Sequence, residues 1–201
     1  MKTILFDFGN VVAFFDHQRA VRQLVQYTPL TAAELTAELY NGQLEDDYEA
    51  GKLNTAEYFA IGKREAKLTC SQEEFLAAFV DIFTGNPEVC ELIPRLKTIY
   101  RLVLASNTNE AHFAKYTEQF DDVLRYFDHL CPSQLAKVRK PNAGYFEYCQ
   151  QFVAAEPGEC VFVDDMAVNV EAARKFGWKA IQYRPDGTLP AQLRAAGVLF
   201  D

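Results

Sequence analysis

The 201-residue chain predicts an α/β protein: a doubly wound, Rossmann-like parallel sheet with an α-helical cap domain inserted after its first strand. Three observations carry that expectation. Short apolar runs recur at residues 4–6, 101–105, 129–131, 160–163 and 178–183, and helical patterns separate the later ones. Residues 16–83 carry only helical signals and are too long for a simple crossover. Polar residues cluster where three of the apolar runs end.

In chain order, Ile4-Leu5-Phe6 reads as a buried strand running into Asp7, and Gly9 permits a sharp turn beyond it. A carboxylate there sits where open α/β sheets place their ligands, although closing a turn is a sufficient role for Asp7 taken alone. In the inserted stretch, Thr31 with Glu34 and Ser71 with Glu74 form capping-box pairs. Thr55-Ala56-Glu57 opens another helix, and Phe75, Leu76, Phe79, Val80 and Phe83 recur at helical spacing. Gly42 and Gly51 mark helix ends. The stretch therefore predicts four or five short helices with no strand between them. The domain boundaries expected are 15–86 for the cap and 1–14 plus 87–201 for the core.

Residues 93–100 predict a helix with Pro94 in its first turn. The strand at 101–105 ends at Ser106-Asn107-Thr108-Asn109, and a helix follows over 110–120. A short strand at 129–131 precedes Lys140-Pro141 and a helix over 142–153. The strand at 160–163 ends at Asp164-Asp165; a helix over 168–176 stops at Gly177, and 178–183 forms the last strand.

The chain carries 20 Lys and Arg against 28 Asp and Glu, a net charge of −8. That excludes nonspecific nucleic-acid binding, which needs a basic face. An anionic substrate stays open where a metal ion supplies positive charge. Met1-Lys2-Thr3 leads straight into the first strand, so no leader is expected. No apolar run approaches the ~20 residues of a membrane span, so no membrane partner is expected. The five cysteines form no CxxC pair and predict reduced thiols in a cytoplasmic protein, without zinc-ligand spacing.

A parallel sheet brings Asp7, Ser106-Asn107 and Asp164-Asp165 to one edge, and Lys140 could reach it from its loop. Taken singly, Ser106-Asn107 could cap a helix and Lys140 could be a solvated lysine. Adjacent Asp164 and Asp165 repel each other unless a cation or donors compensate. As a set they have a chemical logic. Carboxylates suit magnesium; a serine hydroxyl, an asparagine amide and a lysine ammonium suit phosphate oxygens; a remaining carboxylate can attack phosphorus.

This ordered set resembles the haloacid dehalogenase superfamily of phosphohydrolases, in its subfamily I with a helical C1-type cap. The matching segments are Ile4-Leu5-Phe6-Asp7, residues 102–106, Lys140-Pro141, and residues 161–165 with Asn169. Asp7-Phe8-Gly9-Asn10-Val11 is most similar to the Asp-Phe/Leu-Gly-Asn-Val branch that includes bacterial glucose-1-phosphate phosphatases. Tyr48-Glu49-Ala50-Gly51-Lys52-Leu53 resembles a cap segment of that group. The resemblance implies Asp7 as nucleophile and Ser106, Asn107 and Lys140 as the phosphate-binding residues. It implies a Mg2+ site of Asp7, the Gly9 carbonyl and Asp165, with Asp164 in support. The implied activity is magnesium-dependent hydrolysis of a small phosphorylated metabolite, foremost a sugar phosphate, through an aspartyl-phosphate.

The chain departs from that pattern at Gly9. Most phosphatases of the superfamily carry there a second aspartate that protonates the leaving group and then activates water. Such acid–base catalysis is worth typically ~10²–10⁴-fold. Two other readings follow: a catalytically weak module that binds a phosphorylated metabolite or a protein, and a carbon–halogen hydrolase, against which the acidic pair stands. Asp16 and His17 lie close by, but a helix cap and a surface position account for them. In the cap, Phe14, Phe15, Tyr40, Asp47, Tyr48, Tyr58 and Lys63 are candidate substrate contacts, most of the aromatics being expected to pack between helices.

Overall fold

The computed structural model describes residues 1–40 and 42–200. In chain order the first elements are β1 (Thr3–Phe6), β2 (Ala13–Phe15), α1 (His17–Leu24), α2 (Ala32–Tyr40), α3 (Gln43–Glu49), α4 (Thr55–Glu65), α5 (Gln72–Phe79) and β3 (Phe83–Gly85). Then follow α6 (Pro87–Lys97), β4 (Arg101–Ser106), α7 (Glu110–Gln119), α8 (Asp121–Leu124), β5 (His129–Pro132), α9 (Ser133–Ala136) and α10 (Ala143–Gln150). The chain closes with β6 (Cys160–Asp164), α11 (Ala167–Phe176), β7 (Lys179–Gln182) and α12 (Leu189–Ala195).

The predicted parallel sheet is present, with five strands in the order β5-β4-β1-β6-β7. Its strands are covered on both faces, which is why they read as continuous apolar runs rather than alternating ones. The pleat divides β1: Ile4 and Phe6 join Leu102, Leu104, Val161 and Val163 in one core layer. Leu5 joins Val103 and Phe162 in the other. Phe6 pairs level with Leu104 on one side and Val163 on the other. That register puts the residues following β1, β4 and β6 along a single edge.

Three expectations need correction. Phe83, expected at the end of a helical stretch, is extended, and residues 13–15 and 83–85 form a ribbon that was not expected: β2 and β3 pair antiparallel, with Phe15 opposite Phe83. Three residues are too few to display a strand period, and Phe83 also fits the helical spacing of α5. The helix expected from Ile93 begins at Pro87, which takes the first-turn position, so Pro94 lies inside it. The missing N–H of Pro94 removes one helical bond, but Val89, Leu92, Ile93 and Leu96 bury the helix against the core. Finally, α12 was not expected; Pro190 in its first turn and buried Leu189 and Leu193 account for it.

The inserted helices are capped by the chemistry their sequence carries. Asn54 with Glu57 and Ser71 with Glu74 form complete capping boxes, and Thr31 and Glu34 exchange hydrogen bonds. Tyr48 stacks on Tyr58 with centroids 4.4 Å apart. The C-terminal end of α3 is tied to the segment after β5. Ser133 Oγ donates to the Glu49 carbonyl at 2.6 Å, and Lys137 Nζ donates to the Gly51 carbonyl at 2.9 Å. Gly51 has φ +63°, and a Cβ there would lie 2.2 Å from the Gln134 carbonyl oxygen, so only glycine fits.

All five cysteines are free, four of them buried. No helix among the described residues is long and apolar enough to cross a membrane.

Gly51→Ala should therefore lower unfolding free energy in urea by at least about 2 kcal/mol, from left-handed strain plus the overlap with a backbone oxygen. Gly158, whose Cβ would meet open space, is the control: Gly158→Ala should stay within about 0.5 kcal/mol. Equal effects at the two positions would contradict the docking described for Gly51.

Candidate active site

Asp7 lies just past β1, with its N–H donating to the Val163 carbonyl at 2.8 Å. The chain then turns tightly: the N–H groups of Val11, Val12 and Ala13 all donate to the Phe8 carbonyl. Asn10 adopts φ +55° within that turn. The Gly9 carbonyl accepts no hydrogen bond among the described residues.

Lys140 is buried at the centre of the edge. Its Nζ lies 2.8 Å from Asp7 Oδ1 and 2.8 Å from Asp164 Oδ2, and donates at 2.8 Å to the Ala105 carbonyl. The ammonium is thus held by two hydrogen bonds, to Ala105 and Asp164, and by an ion pair with Asp7. Asn107 holds the Lys140 backbone: its Oδ1 accepts from Lys140 N at 2.8 Å, and its Nδ2 donates to Lys140 O at 3.0 Å. The Asn107 side chain is thus engaged, which leaves its backbone N–H as its free donor.

Each carboxylate has a distinct environment. Asp164 is saturated, accepting from Met166 N at 2.8 Å and Lys140 at 2.8 Å, and from Asn169 at 3.1 Å on each oxygen. Asp165 Oδ2 accepts from Asn10 Nδ2 at 3.1 Å. Asp7 Oδ1 accepts from its neighbour Phe8 N at 2.7 Å and forms an ion pair with Lys140. Asp7 Oδ2 has no hydrogen-bond partner among the described residues. One oxygen from each of Asp7, Asp164 and Asp165 lies within 4.8 Å of the others.

One ammonium does not balance three clustered carboxylates. Burial pushes the Asp7 carboxyl well above its ordinary value; Lys140 opposes that shift, and Asp164 and Asp165 add to it. Burial raises Asp165 too, against the Asn10 hydrogen bond. For Lys140, burial favours the neutral amine, but Asp164 and Asp7 outweigh it and the net shift is upward. A small cluster of oxygen donors with excess negative charge, an unpartnered carboxylate oxygen and a free carbonyl suits a hard divalent cation. The residues present therefore fit magnesium.

The edge opens into a cavity of about 240 Å³. Asp7, Gly9, Ser106, Asn107, Lys140 and Asp165 line one side, so the structure brings the sequence-predicted residues together, with Asp164 buried behind them. Ser106, at the end of β4, is itself buried. A Cβ at Gly9 would lie 2.9 Å from Phe15 Cε1. The place of a side chain at position 9 is thus taken by an aromatic ring.

Of the candidate contacts in the insertion, only Phe15 lines this cavity. Tyr40, Tyr48 and Tyr58 are buried in the insertion's own core. Asp47 pairs with Lys52 at 2.7 Å, Lys63 donates to the Cys70 carbonyl, and Phe14 sits in the β2–β3 ribbon. Asp16 caps α1, accepting from Gln18 N at 2.9 Å, as expected. His17, expected at the surface, is half-buried, lines the cavity and stacks on Tyr40 at 4.0 Å. Burial lowers its pKa to about 4. Asn10, Glu45, Glu49 and Arg139 also line the cavity and were not singled out for roles. Glu49 and Arg139 carried a signal, one inside the segment 48–53 and the other beside Lys140.

A sequence model of the haloacid dehalogenase-like hydrolases matches residues 1–177. The chain belongs to this family. It is 24% identical over 191 residues to a D-ribitol-5-phosphate phosphatase of Bacteroides thetaiotaomicron, covering 90% of this chain and 91% of that one. Its fold is similar to that of a HAD-like family hydrolase from Porphyromonas gingivalis, with a TM-score of 0.83, 22% identity and 97% of each chain covered. It is also similar to a HAD family enzyme of Bacteroides thetaiotaomicron in complex with magnesium and inorganic phosphate. There the TM-score is 0.79 at 20% identity, with 92% of this chain and 96% of that chain covered.

The charge imbalance has a measurable consequence in the metal-free protein. A carboxyl whose pKa is raised by folding loses stability as pH climbs from its unfolded value, near 3.8, through its folded one. Asp7→Asn removes that burden. With EDTA present, the variant should be more stable than wild type at pH 7 by on the order of 1 kcal/mol, and the gap should close towards pH 4. A variant less stable than wild type at pH 7 would contradict this electrostatic account.

Proposed function

We propose that the protein is a magnesium-dependent phosphomonoesterase acting on a small phosphorylated metabolite, foremost a sugar or sugar-alcohol phosphate. The observation that carries this reading is the state of Asp7. One oxygen is pinned by Phe8 N–H and Lys140, while the other is unpartnered on a residue that lines the cavity. A carboxylate held this way is oriented for attack, and its nucleophilic oxygen needs no bond broken first.

In the proposed reaction Asp7 attacks phosphorus, the ester oxygen departs, and an aspartyl-phosphate forms; water then releases phosphate and restores Asp7. The Ser106 hydroxyl and the Asn107 backbone N–H hold phosphoryl oxygens, and Lys140 counters the charge that develops on them. Asp7, the Gly9 carbonyl and Asp165 would hold magnesium, with Asp164 behind them fixing Lys140. When bound, the ion supplies positive charge facing the phosphoryl group and relieves repulsion among the carboxylates. Residues 15–86 act as a cap that covers the edge and excludes water. The ribitol-phosphate phosphatase relative supports a polyhydroxylated substrate.

Phosphate release from D-ribitol 5-phosphate tests this reading. Asp7→Asn should reduce it by about 10³-fold or more while the circular dichroism spectrum stays native. EDTA should remove activity and added magnesium restore it. Binding of phosphate esters without turnover would instead make the protein a binding module, and metal-independent halide release from a 2-haloacid would make it a dehalogenase.

A further inference from the structure

Gly9 has no side chain to give a proton, and the Phe15 ring fills the space where one would stand. Two carboxyls reach the same cavity from the insertion. Glu45 and Glu49 lie four residues apart on α3, hence on one helix face, and both line the cavity with Asp7. Neither carboxyl accepts a hydrogen bond among the described residues. Arg139 Nη2 approaches Glu49 Oε2 to 2.7 Å, but the two are not aligned for a hydrogen bond, and Oε2 is left without one. The Glu49 backbone is fixed to the core through Ser133 and through the Gly51 contact that follows it. Glu49 is therefore a carboxyl on an immobilised segment that lines the reaction cavity, ion-paired with Arg139 but accepting no hydrogen bond among the described residues.

We propose that Glu49 is the general acid and base of this protein, doing from the insertion what Gly9 cannot do from the sheet edge. This rests on the phosphatase reading above. In the first step Asp7 forms its bond to phosphorus as the ester P–O bond breaks. The leaving oxygen keeps that electron pair and takes the Glu49 proton, giving the free alcohol. In the second step water attacks the aspartyl-phosphate. Glu49, now a carboxylate, takes the water proton, the Asp7–phosphorus bond breaks, and phosphate leaves with Asp7 and Glu49 in their starting states.

The charges around Glu49 agree with this cycle. Burial, with Glu45 adding to it and Lys140 opposing, pushes the carboxyl up to about 8, while the Arg139 guanidinium 2.7 Å away favours the carboxylate that the second step needs. The groups facing it are Glu45 on its own helix, Arg139 and Lys140 from the core, Tyr58 on α4 and Tyr116 on α7. Glu49 is favoured over Glu45 because its own carbonyl is held to the core by Ser133 and the Gly51 contact locks the chain just beyond it.

The test compares kcat/KM, which reports the step forming the aspartyl-phosphate, for two esters. p-Nitrophenyl phosphate has an acidic leaving group that needs no proton; D-ribitol 5-phosphate releases an alcohol that does. Glu49→Gln should lower kcat/KM for the alcohol ester by about 10²-fold or more and for the aryl ester by less than about tenfold. The alkaline limb near pH 8 should vanish from the alcohol-ester profile, and p-nitrophenol should appear as a burst because the second step has lost its base. If Glu49→Gln does not fold, Glu49→Asp should show the same selective loss in milder form. Equal losses on both esters, or an unchanged ratio, overturn the assignment while leaving the phosphatase reading intact. A wild-type protein inactive on both esters overturns the phosphatase reading itself.

Discussion

The buried ammonium of Lys140 is the interaction on which the site depends. It touches three strands that are adjacent in the sheet: the Ala105 carbonyl of β4, Asp7 beyond β1 and Asp164 of β6. The strand order β4-β1-β6 makes this possible, because the parallel register sets Phe6 level with Leu104 and Val163, so that Asp7, Ala105 and Asp164 follow side by side. Removing Lys140 would leave the buried Asp7 and Asp164 carboxylates uncompensated, a loss that typically costs about 3–5 kcal/mol; without Asp7, by contrast, Lys140 keeps Asp164 as its partner. Here the geometry is close to saturated on the lysine side and unsaturated on the carboxylate side. Lys140 is held by two hydrogen bonds and an ion pair, while Asp7 retains a free oxygen and the cluster retains negative charge. The network thus suits a cation, as the proposed reaction requires.

The fold was legible wherever burial was two-sided. The strands of the main sheet read as apolar runs, and their ends carried the polar residues that converge in the structure. Parallel topology did that work: once Asp7, Ser106 and Asp164 are each placed at a strand end, their meeting follows. The β2–β3 ribbon was not legible, because its partners flank the whole insertion and each strand is too short to show a period. Pro94 misled in a different way: a buried helix face outweighed the loss of one backbone bond.

The insertion's contribution to the site was the less legible part. Helical periodicity finds α3 but does not say which of its faces meets the sheet edge. That depends on contacts distant in sequence, chiefly Gly51 wedged against Gln134 and Ser133 holding the Glu49 carbonyl. The aromatic residues that looked like substrate contacts are mostly the insertion's core, and the carboxyls of the insertion that reach the cavity both come from α3. Asn107 shows a related limit: its type suited phosphate, but its side chain is engaged by the Lys140 backbone. Gly9 acquires a physical meaning only beside Phe15, whose ring stands 2.9 Å from where a Cβ would lie and would have to shift to admit one. The sheet edge and the insertion thus meet at one cavity, the edge presenting Asp7, Lys140 and Asp165 and the insertion presenting Glu45 and Glu49.

The central claim is that Asp7 becomes covalently phosphorylated. Acid quenching during turnover of p-nitrophenyl phosphate with magnesium, followed by peptide mass spectrometry, tests it most directly. The account predicts one phosphoryl group on the peptide containing Asp7, removed by hydroxylamine as an acyl-phosphate must be. A phosphoryl group on any other residue, or turnover with no covalent species at any quench time, would contradict it.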